Sequence, residues 1–245
     1  MTASPSGAFA PLEQLRAHEL VAEQLRRHIR LHLVAPGESL PPERELARVF
    51  GVGRATVQQA IALLEAERLV ETRRGRAGGT FVVTAHGAGG PLAGVLERIR
   101  RERGAIEEAL AFRAEVEPAA AAVAARERTD DDVATLTAAR AGAEAAADDD
   151  AFMASDTEFH LAVARAAHNG HFAEAIERLR ILLNDALVAL PESELWHARS
   201  NREHAAVAAA VERGDERAAR RAMRTHVQHT ERSVRALLRA LDGRA

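Results

Sequence analysis

A break near the first third of the chain constrains the fold more than any other feature. Residues 84–94 read TAHGAGGPLAG, four glycines and a proline that interrupt every apolar periodicity around them. Ahead of the break, helical spacing runs from about Leu12 to Leu33 and stops at VAPGESLPPE. It resumes in ERELARVF and again in RATVQQAIALLEAE, with GVG as a tight turn between them. Pro41 and Pro42 suit a helix start, where the missing N–H is no loss. RLVETRR and TFVV then form two short β-prone runs around GRAGG, the pattern of a hairpin with a glycine-rich tip.

Behind the break no strand is expected. Ala-rich amphipathic stretches cover about 91–103, 105–127, 130–147, 150–168, 171–189, 192–212 and 215–241, punctuated by RTDDD, HNG, LPES and RGD. Such a succession packs as a bundle of six or seven helices. The expectation is a mainly α chain. A front domain over residues 1–84 ends in a small β-hairpin, residues 85–91 form a linker, and residues 92–245 form an all-helical bundle.

Composition narrows the function classes. A 47% hydrophobic chain with a formal charge of −3 is globular rather than disordered. Cysteine is absent, which excludes disulfides and thiolate metal sites and fits a reducing cytoplasm. No run approaches the roughly 20 apolar residues that span a bilayer, and the first residues lack a signal-peptide pattern, so no membrane role is expected. Charge is uneven. Residues 1–84 carry 11 Arg against 9 Glu and no Asp, while the remainder is net acidic.

In the front domain, two helices joined by a short glycine-containing turn are a helix-turn-helix arrangement. Val57, Ala60, Ile61 and Leu64 make the apolar stripe of the second helix, leaving Ala55, Thr56, Gln58 and Gln59 pointing away and Arg54 at its start. Small and polar groups led by an arginine suit entry into the major groove. Arg73, Arg74 and Arg76 crowd the hairpin tip, within reach of phosphates. The rival reading is a solvated helix beside a solvated turn.

These residues resemble a known family. The order of residues from LVAEQLRRHIR through LPPERELARVFGVGRATVQQAIALLEAERLV to TFVV is similar to the winged helix-turn-helix domain of GntR-family bacterial transcription regulators, over roughly residues 12–84. The resemblance implies contacts to DNA from Arg44, from Arg54, Thr56 and Gln58 on the recognition helix, and from Arg74 and Gly75 on the wing. Three departures stand out. Gly53 and Pro42 replace frequent Ser or Thr helix caps, and Gln58 stands where an arginine is common, which implies an altered operator.

The rear domain places ligand-type side chains on buried stripes. Asp156 and His160 share a face with Phe152, Phe159 and Val163; His204 lies with Val207, Ala208 and Val211; His226 lies with Met223, Thr230 and Leu237. A carboxylate facing a core is costly unless something pairs with it. One Asp oxygen and three imidazoles could hold a divalent ion with positions left for water or a ligand. The alternative is an ordinary hydrogen-bonded Asp–His pair beside satisfied core histidines. His168 and His171 flank a helix break, His229 is nearer the exposed side, and His28 and His32 are expected at the surface. Arg113 shares a face with Ile106, Leu110 and Glu117, where an intrahelical ion pair with Glu117 is one reading.

FRAEVEPAAAAVAA, DTEFHLAVARAAHN and REHAAVAAAVERGDERAARRAMRTHV resemble the FCD effector domain of the FadR subfamily, over about residues 92–240. That resemblance implies a divalent metal on Asp156, His160, His204 and His226, with zinc first and nickel or manganese as other ions. It also implies effector contacts from Arg113 and Asn169. The expected function is then a ligand-responsive, homodimeric regulator, a repressor by the commoner family mode, that reads a palindromic operator in double-stranded DNA and senses a small carboxylate. Two alternatives stay open: a metal-dependent hydrolase or lyase on the same Asp/His set, and a regulator whose metal is purely structural. Glu158 points off the face that holds Asp156, which leaves an enzyme no obvious general base.

Overall fold

A computed structural model describes residues 16–75, 78–83, 91–190 and 194–242. The expected linker therefore lies almost wholly outside the described residues, as does Arg76. Helices α1 (Ala17–Arg30), α2 (Glu43–Phe50) and α3 (Arg54–Ala66) come first, followed by strands β1 (Val70–Arg73) and β2 (Gly79–Val82). Seven helices succeed them: α4 (Pro91–Arg101), α5 (Arg103–Glu127), α6 (Asp130–Glu144), α7 (Asp149–Ala166), α8 (Gly170–Val188), α9 (Glu194–Glu212) and α10 (Glu216–Asp242).

In the front part Val21, Ala22, Leu25 and Ile29 of α1 meet Leu46 of α2 and Val57, Ala60, Ile61 and Leu64 of α3. The antiparallel hairpin closes this core with Val70 opposite Val82, and both are buried. Glycine is required at one point of the turn. Gly51 ends α2 in the left-handed region, at φ 65°, which side chains with a Cβ rarely adopt. Pro42 and Gly53 occupy the N-cap positions of α2 and α3 without any side-chain hydrogen bond.

The helix-end signals of the rear part act as caps. Thr129 and Asp132 form a reciprocal capping box at α6, Asp148 accepts from the Ala151 amide at α7, and Asn169 accepts from the His171 amide at α8. The bundle interior is layered. One apolar cluster holds Ile106, Leu110, Phe152, Leu183, Val234 and Leu238; another holds Phe159, Val163, Val207, Val211, Met223 and Val227. Along α5 and α10 buried polar residues fall between members of the two clusters: Arg113 and Glu117 on α5, Thr230 on α10, with His226 one residue before Val227 of the second cluster. On α7, Asp156 and Thr157 fall there too, with His160 one residue past Phe159. A polar layer thus lies in a hydrophobic bundle.

Candidate metal centre and nucleic-acid interface

On the front part, the buried stripe of α3 turns Arg54 and Gln58 to solvent and leaves Thr56 partly exposed. Arg44 is exposed on α2. Glu43 ties the two helices together: its Oε2 accepts from Gln58 Nε2 at 2.8 Å and from Arg54 Nη2 at 3.4 Å. Arg54 and Gln58 are therefore tied to α2 by contacts worth little, because the Arg54–Glu43 pair is largely exposed. Arg74 and Gly75 are exposed at the hairpin tip, with Gly75 at φ 112°. Arg73 lies over the Phe81 ring at 4.5 Å, so its guanidinium is partly committed to the wing itself. Neither Glu43 nor the Arg73–Phe81 contact stood out in the sequence, since each needs two elements to meet.

In the rear part, Asp156 and His160 from α7, His204 from α9 and His226 from α10 are all buried, and each offers one ligand atom within 4.8 Å of the others. The Nε2 atoms of His204 and His226 lie 3.4 Å apart, those of His226 and His160 3.2 Å apart. Asp156 Oδ1 lies 3.5 Å from His204 Nε2. A tetrahedral ion with ligands at about 2.0–2.1 Å sets neighbouring ligand atoms about 3.3–3.4 Å apart. These three spacings match.

The outer contacts decide which nitrogens face inward. His226 Nδ1 donates to Glu203 Oε2 at 3.0 Å, and His160 Nδ1 lies 2.7 Å from Glu117 Oε2. Carboxylates behind two rings favour the proton on Nδ1 and leave the Nε2 lone pairs aimed at one another, an arrangement that a cation relieves. Phe159 stacks on His204 at 4.1 Å and fixes the third ring. Burial, with the neighbouring imidazoles, pushes His204 and His226 well below the usual histidine range. Both rings are thus neutral. Burial works to raise Asp156 and Glu117, yet the Arg180 charge at the first and the Arg113 charge at the second outweigh it, and both stay ionised.

Arg113 makes the ion pair with Glu117. Its Nε donates to Glu117 Oε1 at 2.7 Å, its Nη2 lies 3.4 Å from His160 Nε2, and its Nη1 is buried without a hydrogen-bond partner among the described residues. Asn169 is placed elsewhere: it is an exposed cap at the start of α8 and is not brought to the cluster. His32 departs from its surface expectation, for it is half-buried and its Nδ1 is shielded from solvent. Burial and the charges of Arg180 and Arg98 lower its pKa against the pull of Asp185.

Sequence reasoning missed Arg180. It is fully buried on α8, and its Nη2 donates to Asp156 Oδ2 at 2.7 Å. Its Nε and Nη1 have no hydrogen-bond partner among the described residues. A signal was available: Arg180 stands on the stripe of Ile176, Leu183 and Leu187, which marks an inward-facing charge as it did for Asp156. Glu203, which orients His226, carried no comparable mark.

A recognition helix with a wing, joined to a helical bundle with a polar interior, defines a bacterial DNA-binding regulator with an effector domain. The sequence matches the family described as bacterial regulatory proteins, gntR family, over residues 6–82, and the FCD domain over residues 108–229. The HTH-type transcriptional repressor NanR of Salmonella typhimurium is 32% identical over 231 residues, covering 93% of this chain and 88% of that protein; the NanR of Salmonella typhi matches to the same extent. Among solved structures, E. coli McbR/YncC superposes with a TM-score of 0.54 at 19% identity, covering 91% of this chain and 99% of the other. A putative GntR regulator from Rhodococcus sp. RHA1 gives 0.52 at 20% identity, covering 89% and 97%. Both show the same fold. The chain belongs to the GntR family of bacterial transcription regulators, in the FadR subfamily that carries an FCD domain. It is a regulator and not an enzyme, which sets the hydrolase and lyase alternative aside.

Proposed function

We propose that this regulator is a repressor whose DNA affinity is set by a small carboxylate bound at a metal centre in the rear domain. The repressor sense is carried over from the NanR relatives. Residues 1–84 would read each half of a palindromic site as part of a homodimer, with Arg44, Arg54, Thr56, Gln58, Arg74 and Gly75 at the DNA, and residues 92–245 would sense the effector. Such a protein works in the cytoplasm, where bacterial DNA lies.

One observation carries the sensor reading: three Nε2 atoms and a carboxylate oxygen face one another within 4.8 Å in a buried layer. Asp156, His160, His204 and His226 would hold the ion, with zinc first and nickel or manganese as alternatives. A divalent ion there supplies Lewis acidity and coordination positions for an oxygen of the effector. The charges also point to an anion. Arg113 and Arg180 balance Glu117 and Asp156, so the two charges of an added ion are offset only in part by Glu203 and the remainder is left to an incoming acid. Buried N–H groups of both arginines are free to grip it.

Elemental analysis and native mass spectrometry of the purified protein test this directly. Stoichiometric metal per chain and a co-purified acid are expected. Calorimetric titration of organic acids, with metal removed and restored, separates the bridging role from a structural one. Equal binding of acids without metal defeats the bridging role.

A further inference from the structure

The buried polar layer continues past the candidate metal centre to the front part of the chain. Arg180 Nη2 donates to Asp156 Oδ2 at 2.7 Å and to Thr157 Oγ1 at 2.8 Å. Thr157 Oγ1 also accepts from Asn184 Nδ2 at 3.3 Å, and the same Nδ2 donates to the carbonyl oxygen of Leu31 at 3.1 Å. Leu31 is the C-cap of α1. Three side chains thus connect a prospective metal ligand to a helix of the DNA-reading domain. Arg180, Thr157 and Asn184 are each 0% exposed.

The path leaves little slack. Arg180 Nη2 and Asn184 Nδ2 each have two hydrogens, and all four are committed to these bonds. In a buried site no bulk water replaces a bond that breaks, so a turn of one group passes to the next. The end of α1 is also seated by packing. Leu31 shares a buried cluster with Ala120, Leu161, Ala164 and Ile176, and Arg27 pairs with Glu177 on α8. Beyond Leu31, α1 shares its core with the recognition helix α3 through Val21, Leu25 and Ile29.

We infer that Arg180, Thr157 and Asn184 are positioning residues that transmit occupancy of the metal centre to α1, and through it to α3. The inference rests on the metal reading given above. Asp156 presents Oδ1 to His204 and Oδ2 to Arg180, so one carboxylate belongs to both the centre and the relay. When Asp156 reorients toward a bound cation, Arg180 follows Oδ2, and the Thr157–Asn184–Leu31 bonds shift together. The coupling is reciprocal: DNA that selects one position of α1 changes metal affinity by the same factor.

The test uses the full-length protein, stripped with chelator and reloaded with zinc, and follows amide hydrogen exchange. In the wild type, zinc is expected to change exchange in residues 28–34 by about threefold or more, as well as around residues 150–165. In Asn184→Ala, and in Thr157→Val, which keeps the side-chain shape, the response at 28–34 is lost. The response at 150–165 persists, and calorimetric zinc affinity stays within about threefold of wild type. Equal responses at 28–34 in wild type and both variants overturn the relay and leave the metal reading standing. So does an unresponsive 28–34 segment in a wild type that binds zinc. A wild type that takes up no zinc overturns both.

Discussion

In the front part, Arg44, Arg54, Gln58 and Arg74 stand exposed around an apolar interior; the helical bundle instead buries two arginines, two carboxylates and three histidines. The difference is energetic as well as spatial. An exposed charge keeps its water, so the Arg54–Glu43 contact adds little and its loss strands nothing. A buried charge is tolerable only while its partner remains, so every member of the polar layer depends on another. One end of the molecule can vary its contacts singly, whereas the other changes as a unit.

Asp156→Ala strikes the comparison hardest. It leaves the Arg180 guanidinium buried without its carboxylate, and should destabilise the metal-free protein by about 3–5 kcal/mol in denaturant melts. Zinc binding should disappear with it. A loss below about 1 kcal/mol would mean that the layer is far more accommodating than its burial implies. Glu203→Gln sharpens the same point more gently. The His226 ring loses its carboxylate partner, and calorimetric zinc affinity should fall about 10–100-fold with the fold intact.

Arg54→Ala probes the opposite end. Affinity for a site selected from random DNA should fall by about 1–3 kcal/mol with relaxed preference at one position. The melting curve should move by no more than about 0.5 kcal/mol, since Arg54 is exposed. A large stability loss there would erase the distinction between the two regions.

The smallest effect lies at their junction. His32 has a folded pKa below its ordinary 6.5, so the unfolded chain takes the proton first as pH falls. Its contribution is fully present above about pH 6.5 and is lost below that value, at no more than about 1.4 kcal/mol per pH unit. His32→Gln should flatten this part of the acid limb in melts between pH 7 and 5. An unchanged slope would place His32 in water in both states.

Much of this was legible in the linear pattern. The seven rear stretches are all helices, because Ala-rich amphipathic runs supply the stripe and, at α6, α7 and α8, Thr129, Asp148 and Asn169 supply the cap. Asp156, His160, His204 and His226 were recognisable because ligand-type residues on an apolar stripe must face inward. Arg180 was not recognised among the chain's 33 basic residues, although its stripe marked it. Glu203 sits next to His204 in sequence yet serves His226 on another helix, a relation that no spacing along one helix encodes.

Periodicity and capping are local, so the sequence by itself determined the helices, their buried faces and the residues that turn toward or away from solvent. Which buried groups meet depends on how separate helices cross, and that is settled by packing the two apolar clusters. The tertiary structure alone decided that Asp156 shares its carboxylate between His204 and Arg180 beside two further imidazoles, and that Asn184 reaches Leu31 across 153 residues of chain. Hydrogen bonds and ion pairs act over a few ångströms, and only the folded chain brings such distant groups within that range.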